Sequence, residues 1–128
     1  MNSQEFMNHL NEIQKLISQK NYEQAINLIE KLKRVEKEAD FGYDLTHKLY
    51  QLDSNTLSLY NQQIILKSVR NLSQQYNIIS FQEIYQILRA NKEFNVSIDI
   101  LRREIELLIL RNQLPWKINK DTIILKSN

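Results

Sequence analysis

Cysteine is absent from this chain, and glycine and proline occur once each, at Gly42 and Pro115. Without cysteine there are no disulfides, no thiolate metal ligands and no cysteine nucleophile. Glycine supplies the left-handed conformations that many tight turns need, so its scarcity favours helices over a turn-rich β architecture. Asparagine is plentiful and can take some of these positions.

The chain has 128 residues, of which 42% are hydrophobic and 25% are charged. This length fits one folded domain, or one domain with a helical extension. The first ten residues are polar and acidic, where a signal peptide needs a basic and then an apolar stretch. No apolar run approaches the ~20 residues of a membrane span. We therefore expect a soluble protein with no membrane association, located in the cytoplasm, or in the nucleus of a eukaryotic cell.

The formal net charge of +2 is unevenly distributed along the chain. Residues 1–64 carry seven Lys/Arg against nine Asp/Glu, which gives −2. Residues 65–128 carry ten Lys/Arg against six Asp/Glu, which gives +4. The second half is mildly basic, but less so than the concentrated basic face of a dedicated nucleic-acid binder.

Residues 1–52 have the pattern of a helical hairpin. Ser3 and Asn21 are predicted N-caps of two helices, and each helix carries an apolar stripe at helical spacing. Two antiparallel helices joined near residues 19–21 would bury both stripes against each other. The two stripes comprise Phe6, Leu10, Ile13 and Ile17, then Tyr22, Ala25, Ile26, Ile29 and Leu32.

A connecting helix is predicted to follow the hairpin. Asp44 is a candidate cap for a short helix through Leu52, and Asp53 or Ser54 for a longer one that ends near Tyr76. The break between these two helices divides the chain into residues 1–52 and residues 53–128. The second part contains the long helix and a winged-helix domain.

The pattern of residues 77–125 predicts a winged helix: a short strand, two helices and a closing hairpin. Ile78 and Ile79 form a brief β-branched pair, and Ser80 with Glu83 forms a capping box at the start of a helix. Ser97 caps the third helix of the domain. Residues 116–118 and 122–126 are expected to pair as a hairpin, with a type I turn because no glycine lies between them. The expected fold class is therefore mainly α: an N-terminal helical hairpin, a connecting helix and a C-terminal winged helix with a small β-hairpin wing.

The hydrophobic residues from 65 to 125 follow a definite order. In sequence they are Leu66, Val69 and Leu72, then Ile79-Ser80-Phe81-Gln82-Glu83-Ile84, Leu88, residues 105–109, Leu114, Lys117-Ile118 and Ile123-Ile124-Leu125. This order resembles the C-terminal part of a PCI domain, a helical-repeat and winged-helix module of the proteasome lid, the signalosome and translation initiation complexes. A cullin-type winged helix has similar spacing and stays an alternative. Either resemblance implies a module that binds other protein subunits and is not an enzyme.

The third helix of the winged helix carries the candidate interface residues. Leu107 and Leu110 lie off its predicted core face, so they are either covered by other elements or form an apolar patch that needs a partner. Trp116 either packs the hairpin onto the third helix or, if exposed, anchors a partner. The expected partners are other protein subunits, with self-association included.

Nucleic-acid binding is the alternative function. In winged-helix regulators the third helix enters the major groove, and basic side chains bind phosphates. Here the arginines are matched by Asp99, Glu104 and Glu106, which disfavours this function because counterion release needs net positive contacts. The candidate contacts are Arg102, Arg103 and Arg111 on the helix and Lys117, Lys120 and Lys126 on the wing.

No pattern in the sequence indicates a catalytic, metal or cofactor site. His9 and His47 are isolated residues without metal-ligand spacing. The carboxylate pairs Glu36/Glu38 and Glu104/Glu106 are two residues apart on helices, so their side chains diverge. We therefore expect no catalytic residues, no metal and no cofactor.

Overall fold

The computed structural model describes residues 1–92 and 94–126, and these are mainly helical with a small three-stranded antiparallel sheet. The helices are α1 (Ser3–Ser18), α2 (Tyr22–Glu36), α3 (Tyr43–Ser68), α4 (Leu72–Gln75), α5 (Phe81–Arg89) and α6 (Ile98–Leu110). The strands are β1 (Ile78–Ser80), β2 (Lys117–Asn119) and β3 (Thr122–Ile124).

The chain forms two compact units, Met1–Tyr60 and Asn61–Asn128, here called unit 1 and unit 2. The boundary between the units falls inside α3, whereas the boundary expected from the sequence follows residue 52. Within the described residues, no helix is both long and apolar enough to cross a bilayer.

Unit 1 has a core formed by one face of each of its helices. Helices α1 and α2 pack against each other, and the ring of Phe6 stacks on Phe41 with centroids 4.5 Å apart. Asn2, and not the expected Ser3, caps α1: its side chain accepts a hydrogen bond from Glu5 N at 2.8 Å. The buried set is Phe6, Leu10, Ile13, Ala25, Ile29, Leu32, Phe41, Leu49 and Leu52.

Two helices end on residues in the left-handed conformation. After α1, Lys20 has φ 60°, and hydrogen bonds run from Lys20 N to Ile17 O and from Asn21 N to Leu16 O. This is the Schellman arrangement, in which glycine is the usual residue. Asn112 has φ 59° at the corresponding position after α6. The chain thus places lysine and asparagine where glycine would cause less strain.

Helix α3 is longer than the sequence indicated. It starts after Gly42, which has φ +89°, and runs through residues 52 and 53 without a break. The expected helix start at Asp53 or Ser54 is therefore wrong. Asp53 lies inside α3, and its Oδ2 accepts a hydrogen bond from Lys33 Nζ on α2 at 3.0 Å.

Unit 2 begins with the last residues of α3 and then the short helix α4. The connecting helix was expected to end near Tyr76, but α3 ends at Ser68. The Ser80–Glu83 capping box at α5 is confirmed, with Glu83 N donating to Ser80 Oγ at 3.0 Å and Ser80 N to Glu83 Oε1 at 3.2 Å. Phe94, which follows α5 and precedes α6 in the chain, is buried.

The sheet of unit 2 has the order β1-β3-β2. Ile79 pairs with Ile123, and Ile123 pairs with Ile118, so these three side chains share the inner face. A two-residue turn joins β2 to β3, and Lys120 in it has φ 57°. The expected type I turn is therefore wrong, because that turn needs negative φ at this position.

Candidate functional site

Helix α6 carries four of the nine candidate binding residues, and Arg111 directly follows its last residue. Ser97 caps it, with its hydroxyl oxygen accepting from Ile100 N at 3.3 Å. The buried side of the helix consists of Leu101, Glu104, Ile105 and Leu108. Three of these are aliphatic, and the fourth is a carboxylate. The opposite side faces solvent and presents the candidates.

Arg102 joins three elements of unit 2. Its guanidinium lies 4.8 Å from the ring centroid of Phe81 at the start of α5, and its Nε donates to Glu106 at 3.2 Å. Its Nη2 donates to the carbonyl oxygen of Lys120 at 2.9 Å, and Asp121 lies 3.6 Å from its Nη1. The expected nucleic-acid contact Arg102 thus holds α6 against α5 and the hairpin turn.

A polar network surrounds the buried carboxylate of Glu104, whose side chain is 0% exposed. This carboxylate accepts hydrogen bonds from Arg103 Nε at 3.2 Å and from Gln62 Nε2, on the last part of α3, at 3.0 Å. Gln62 Oε1 in turn accepts from Arg111 Nη1 at 3.0 Å. The other two candidate arginines of α6 therefore also bond inside unit 2.

The three candidate interface residues lie in different environments. Leu110 is 77% exposed at the end of α6, on the side opposite the buried face. Leu107 is half-buried, as is Ile100 on the same side of the helix. Trp116 is 6% exposed, so its ring packs inside the folded chain and does not offer a surface to a partner.

The lysines of the hairpin lie on the surface. Lys117, Lys120 and Lys126 are exposed, and Lys117 is paired in register with Ile124. Ile78 flanks Ile124 on the other side and is 59% exposed, so the outer sheet face combines apolar and basic side chains. The arginines of α6 have partners in unit 2, and Arg102 is bonded to the backbone carbonyl of Lys120.

A cleft of about 300 Å³ lies beside Arg102, where α5 and α6 begin. Its lining includes Phe81, Ile98, Asp99, Arg102 and Asp121. Two carboxylates therefore face one arginine that already has partners, which makes the cleft a poor site for an anion. Within the described residues, no group of three or more His, Asp or Glu side chains could hold a metal ion.

Unit 1 has an ionic cluster between α2 and α3. Lys33 Nζ lies 3.0 Å from Asp53 Oδ2 and 3.3 Å from Glu30 Oε1. The hydrogen bond to Asp53 is the main cause that raises the pKa of Lys33 above its usual value. Nearby, Tyr50 Oη donates to Glu36 Oε2 at 3.3 Å, and partial burial, with the charge of Glu36, raises the pKa of Tyr50.

Sequence reasoning missed the main polar feature of unit 2, the burial of Glu104. A signal was present, because positions 101, 104, 105 and 108 fall on one side of a helix, and Glu104 is the polar member. Its partner Gln62 gave no signal, because it lies on another helix far away in the sequence.

Comparisons with protein-family models, curated proteins and solved structures give no match to this chain.

Proposed function

We propose that this chain is a non-enzymatic protein-interaction module of a multisubunit assembly, and that unit 2 binds a partner protein through the outer side of α6. The observation that carries the proposal is Leu110, which is 77% exposed on a capped and well-packed helix. Leu107 and Ile100, both half-buried, extend the apolar surface along the same side. Burial of such a surface, with polar residues at its rim, is the usual basis of a protein interface.

The fold component of the proposal is a winged helix similar to the C-terminal part of a PCI domain. Its support is the order of elements in unit 2, where a strand precedes two helices and a hairpin follows them. The register adds further support, because β1 pairs with β3 and so connects the hairpin to the segment before α5.

The arginines of α6 favour a protein partner over a nucleic acid. Arg102 bonds to Glu106 and the Lys120 carbonyl, Arg103 to Glu104, and Arg111 to Gln62. Phosphate binding would require these side chains to leave their partners, which reduces the net gain from counterion release. The exposed lysines of the hairpin alone provide few phosphate contacts.

The proposal is tested with immobilised full-length chain and a lysate of the cells from which it comes. The variant Leu110→Gln removes the exposed leucine but keeps its size and helix propensity. The matched control is Ile87→Gln, which changes a 36% exposed residue of α5 in the same unit. Proteins retained by the wild type are identified, purified and titrated against all three chains.

We expect a retained partner to bind Leu110→Gln at least about 10-fold more weakly, as for an interface hot spot, and to bind Ile87→Gln unchanged. Equal retention by wild type and Leu110→Gln would contradict the proposal. A duplex titration at two salt concentrations tests the alternative. Saturable binding that weakens steeply with salt would favour nucleic acid.

A further inference from the structure

Helix α3 exposes a continuous stripe of side chains that its own unit does not cover. Tyr43, His47, Tyr50, Ser54 and Leu57 are all exposed, and we call them the α3 stripe. Their spacing of four, three, four and three residues keeps them on one side of the helix. The inward positions Leu45, Leu49, Leu52 and Thr56 follow the same spacing on the opposite side.

The composition of the α3 stripe resembles the centre of a protein interface. Tyr43 is 78% exposed, Leu57 43% and Tyr50 39%, and no member of the stripe is Lys, Arg, Asp or Glu. Interface centres are enriched in aromatic residues and depleted of charged ones. The stripe is about 21 Å long, which matches about four turns of a partner helix.

An open cleft of about 550 Å³ lies at the Tyr43 end of the stripe. Its apolar lining comes from Met7, Phe41, Tyr43 and Leu45, and the rest of the lining is Ser3, Gln4, Gly42 and Asp44. The cleft is large enough for an apolar side chain of a helix that lies along the stripe.

Acidic residues flank the same end of the stripe. Between residues 36 and 44 the charged residues are Glu36, Glu38, Asp40 and Asp44 against the single base Lys37, and we call the four acids the acidic flank. Asp40 Oδ1 accepts from Gly42 N at 2.9 Å, next to Tyr43. Glu36 lies at the middle of the stripe, where Tyr50 Oη donates to its Oε2 at 3.3 Å and Lys33 Nζ lies 6.0 Å from the Tyr50 ring centroid. A partner with basic residues at the corresponding positions is electrostatically complementary, and a basic side chain can also lie over an exposed tyrosine ring.

We propose that the α3 stripe binds an amphipathic helix of a partner protein, with an apolar contact face and Lys or Arg along its edge. A symmetric contact with the same face of a second copy fits less well, because it would bring two acidic flanks together, and residues 1–60 carry a net charge of −2 from seven Lys/Arg and nine Asp/Glu. The stripe lies in unit 1 and is independent of Leu110. The chain then has one protein-binding surface in each unit.

The test uses a displayed library of helical peptides of about 20 residues, long enough to cover the stripe, with randomised contact positions. Peptides are selected on the full chain and counter-selected on the variant Tyr43→Ser/Leu57→Ser. Both substituted side chains are exposed, and circular dichroism confirms that the variant keeps its helices. Dissociation constants of selected peptides are then measured by fluorescence anisotropy.

We expect enrichment of peptides with apolar residues at three- and four-residue spacing flanked by Lys or Arg. Their affinity should fall at least about 10-fold for Tyr43→Ser/Leu57→Ser, as for loss of an aromatic anchor. It should fall several-fold for Glu36→Gln/Asp44→Asn, and also at higher salt, because the flanking charges are exposed. Binding to Leu110→Gln should be unchanged, which separates this result from the test of the proposed function.

Three outcomes would overturn the proposal. One is a selection that yields no peptide sensitive to Tyr43→Ser/Leu57→Ser. Another is enrichment of acidic or extended peptides at the stripe. The third is a dimer of the chain, seen by sedimentation, that the same double variant abolishes, because the occupant would then be a second copy.

Discussion

Replacing Glu104 by alanine tests whether the buried network stabilises unit 2. Glu104 is fully buried, and its carboxylate accepts hydrogen bonds from Gln62 and Arg103. A hydrogen bond to a charged group contributes about 1.5–3 kcal/mol, and the bond from the buried Gln62 falls in this range. The side chain of Arg103 is 62% exposed, so its bond contributes about 0.5 kcal/mol.

The cavity left by truncation adds about 1 kcal/mol. Glu104→Ala should therefore lower the free energy of unfolding of unit 2 by about 3–4.5 kcal/mol. For a unit of this size, the midpoint temperature should fall by roughly 12–36 °C. Glu104→Gln keeps the volume and one oxygen acceptor, so it should cost about 1–2 kcal/mol. Glu106 is exposed and forms an ion pair with the partly exposed side chain of Arg102. Glu106→Gln should therefore cost less than about 0.5 kcal/mol.

The assay is urea unfolding followed by tryptophan fluorescence. Trp116 is the single tryptophan of the chain and is buried in unit 2, so its emission reports on this unit. Gln62→Leu/Glu104→Leu should recover most of the loss, because a buried polar pair replaced by apolar residues of similar volume is often nearly neutral. A cost below about 1 kcal/mol for Glu104→Ala, or equal costs for Glu104→Ala and Glu106→Gln, would refute the reasoning.

Three further predictions concern unit 1 and are checked by chemical unfolding followed by circular dichroism. Gly42→Ala should destabilise unit 1 by about 1 kcal/mol, because φ at this position is +89°. A methyl group there meets no atom within 4 Å, so the whole cost comes from backbone strain. Lys20→Gly should stabilise unit 1 by about 0.5 kcal/mol, because the left-handed helix end favours glycine; a loss of stability would contradict this. The ion pair of Lys33 with Asp53 should stabilise fully below pH 10.5, the ordinary pKa of lysine, and be lost as the pH rises through the raised pKa of the folded state. The pKa of Tyr50 is also raised in the folded state, so loss of the Tyr50 proton likewise lowers the stability of unit 1 as the pH rises. The stability difference between wild type and Lys33→Met should therefore shrink above pH 10.5, and a constant difference would exclude the mechanism.

Features fixed by neighbouring residues could be predicted from the sequence. The Ser80–Glu83 capping box forms within one helical turn, and it occurs as expected. The apolar stripes of α1 and α2 gave most of the core of unit 1, because helical spacing alone determines which side chains share a face. The three strands also lie close to the predicted segments, Ile78-Ile79, residues 116–118 and residues 122–126, with boundaries shifted by one or two residues.

Features fixed by distant residues could not be predicted. Asp53 was expected to cap a helix, but it lies inside the continuous helix α3 and pairs with Lys33 on α2. In the hairpin turn, the carbonyl of Lys120 accepts from Arg102 on α6, a contact that helps to hold a conformation that lysine alone disfavours. The burial of Glu104 likewise depends on Gln62, which the sequence did not relate to it.

The position of β3 between β1 and β2 has a consequence during translation. In the part of the chain that the structure describes, β1 pairs only with β3, which follows it by roughly forty residues, so the ribosome completes β1 well before its partner exists. At about 5–20 residues per second, this strand stays unpaired for about two to eight seconds after its synthesis. During this interval the backbone groups of Ile78 and Ile79 lack the strand that pairs with them, and a message truncated before the codon for Thr122 would encode β1 without its partner strand.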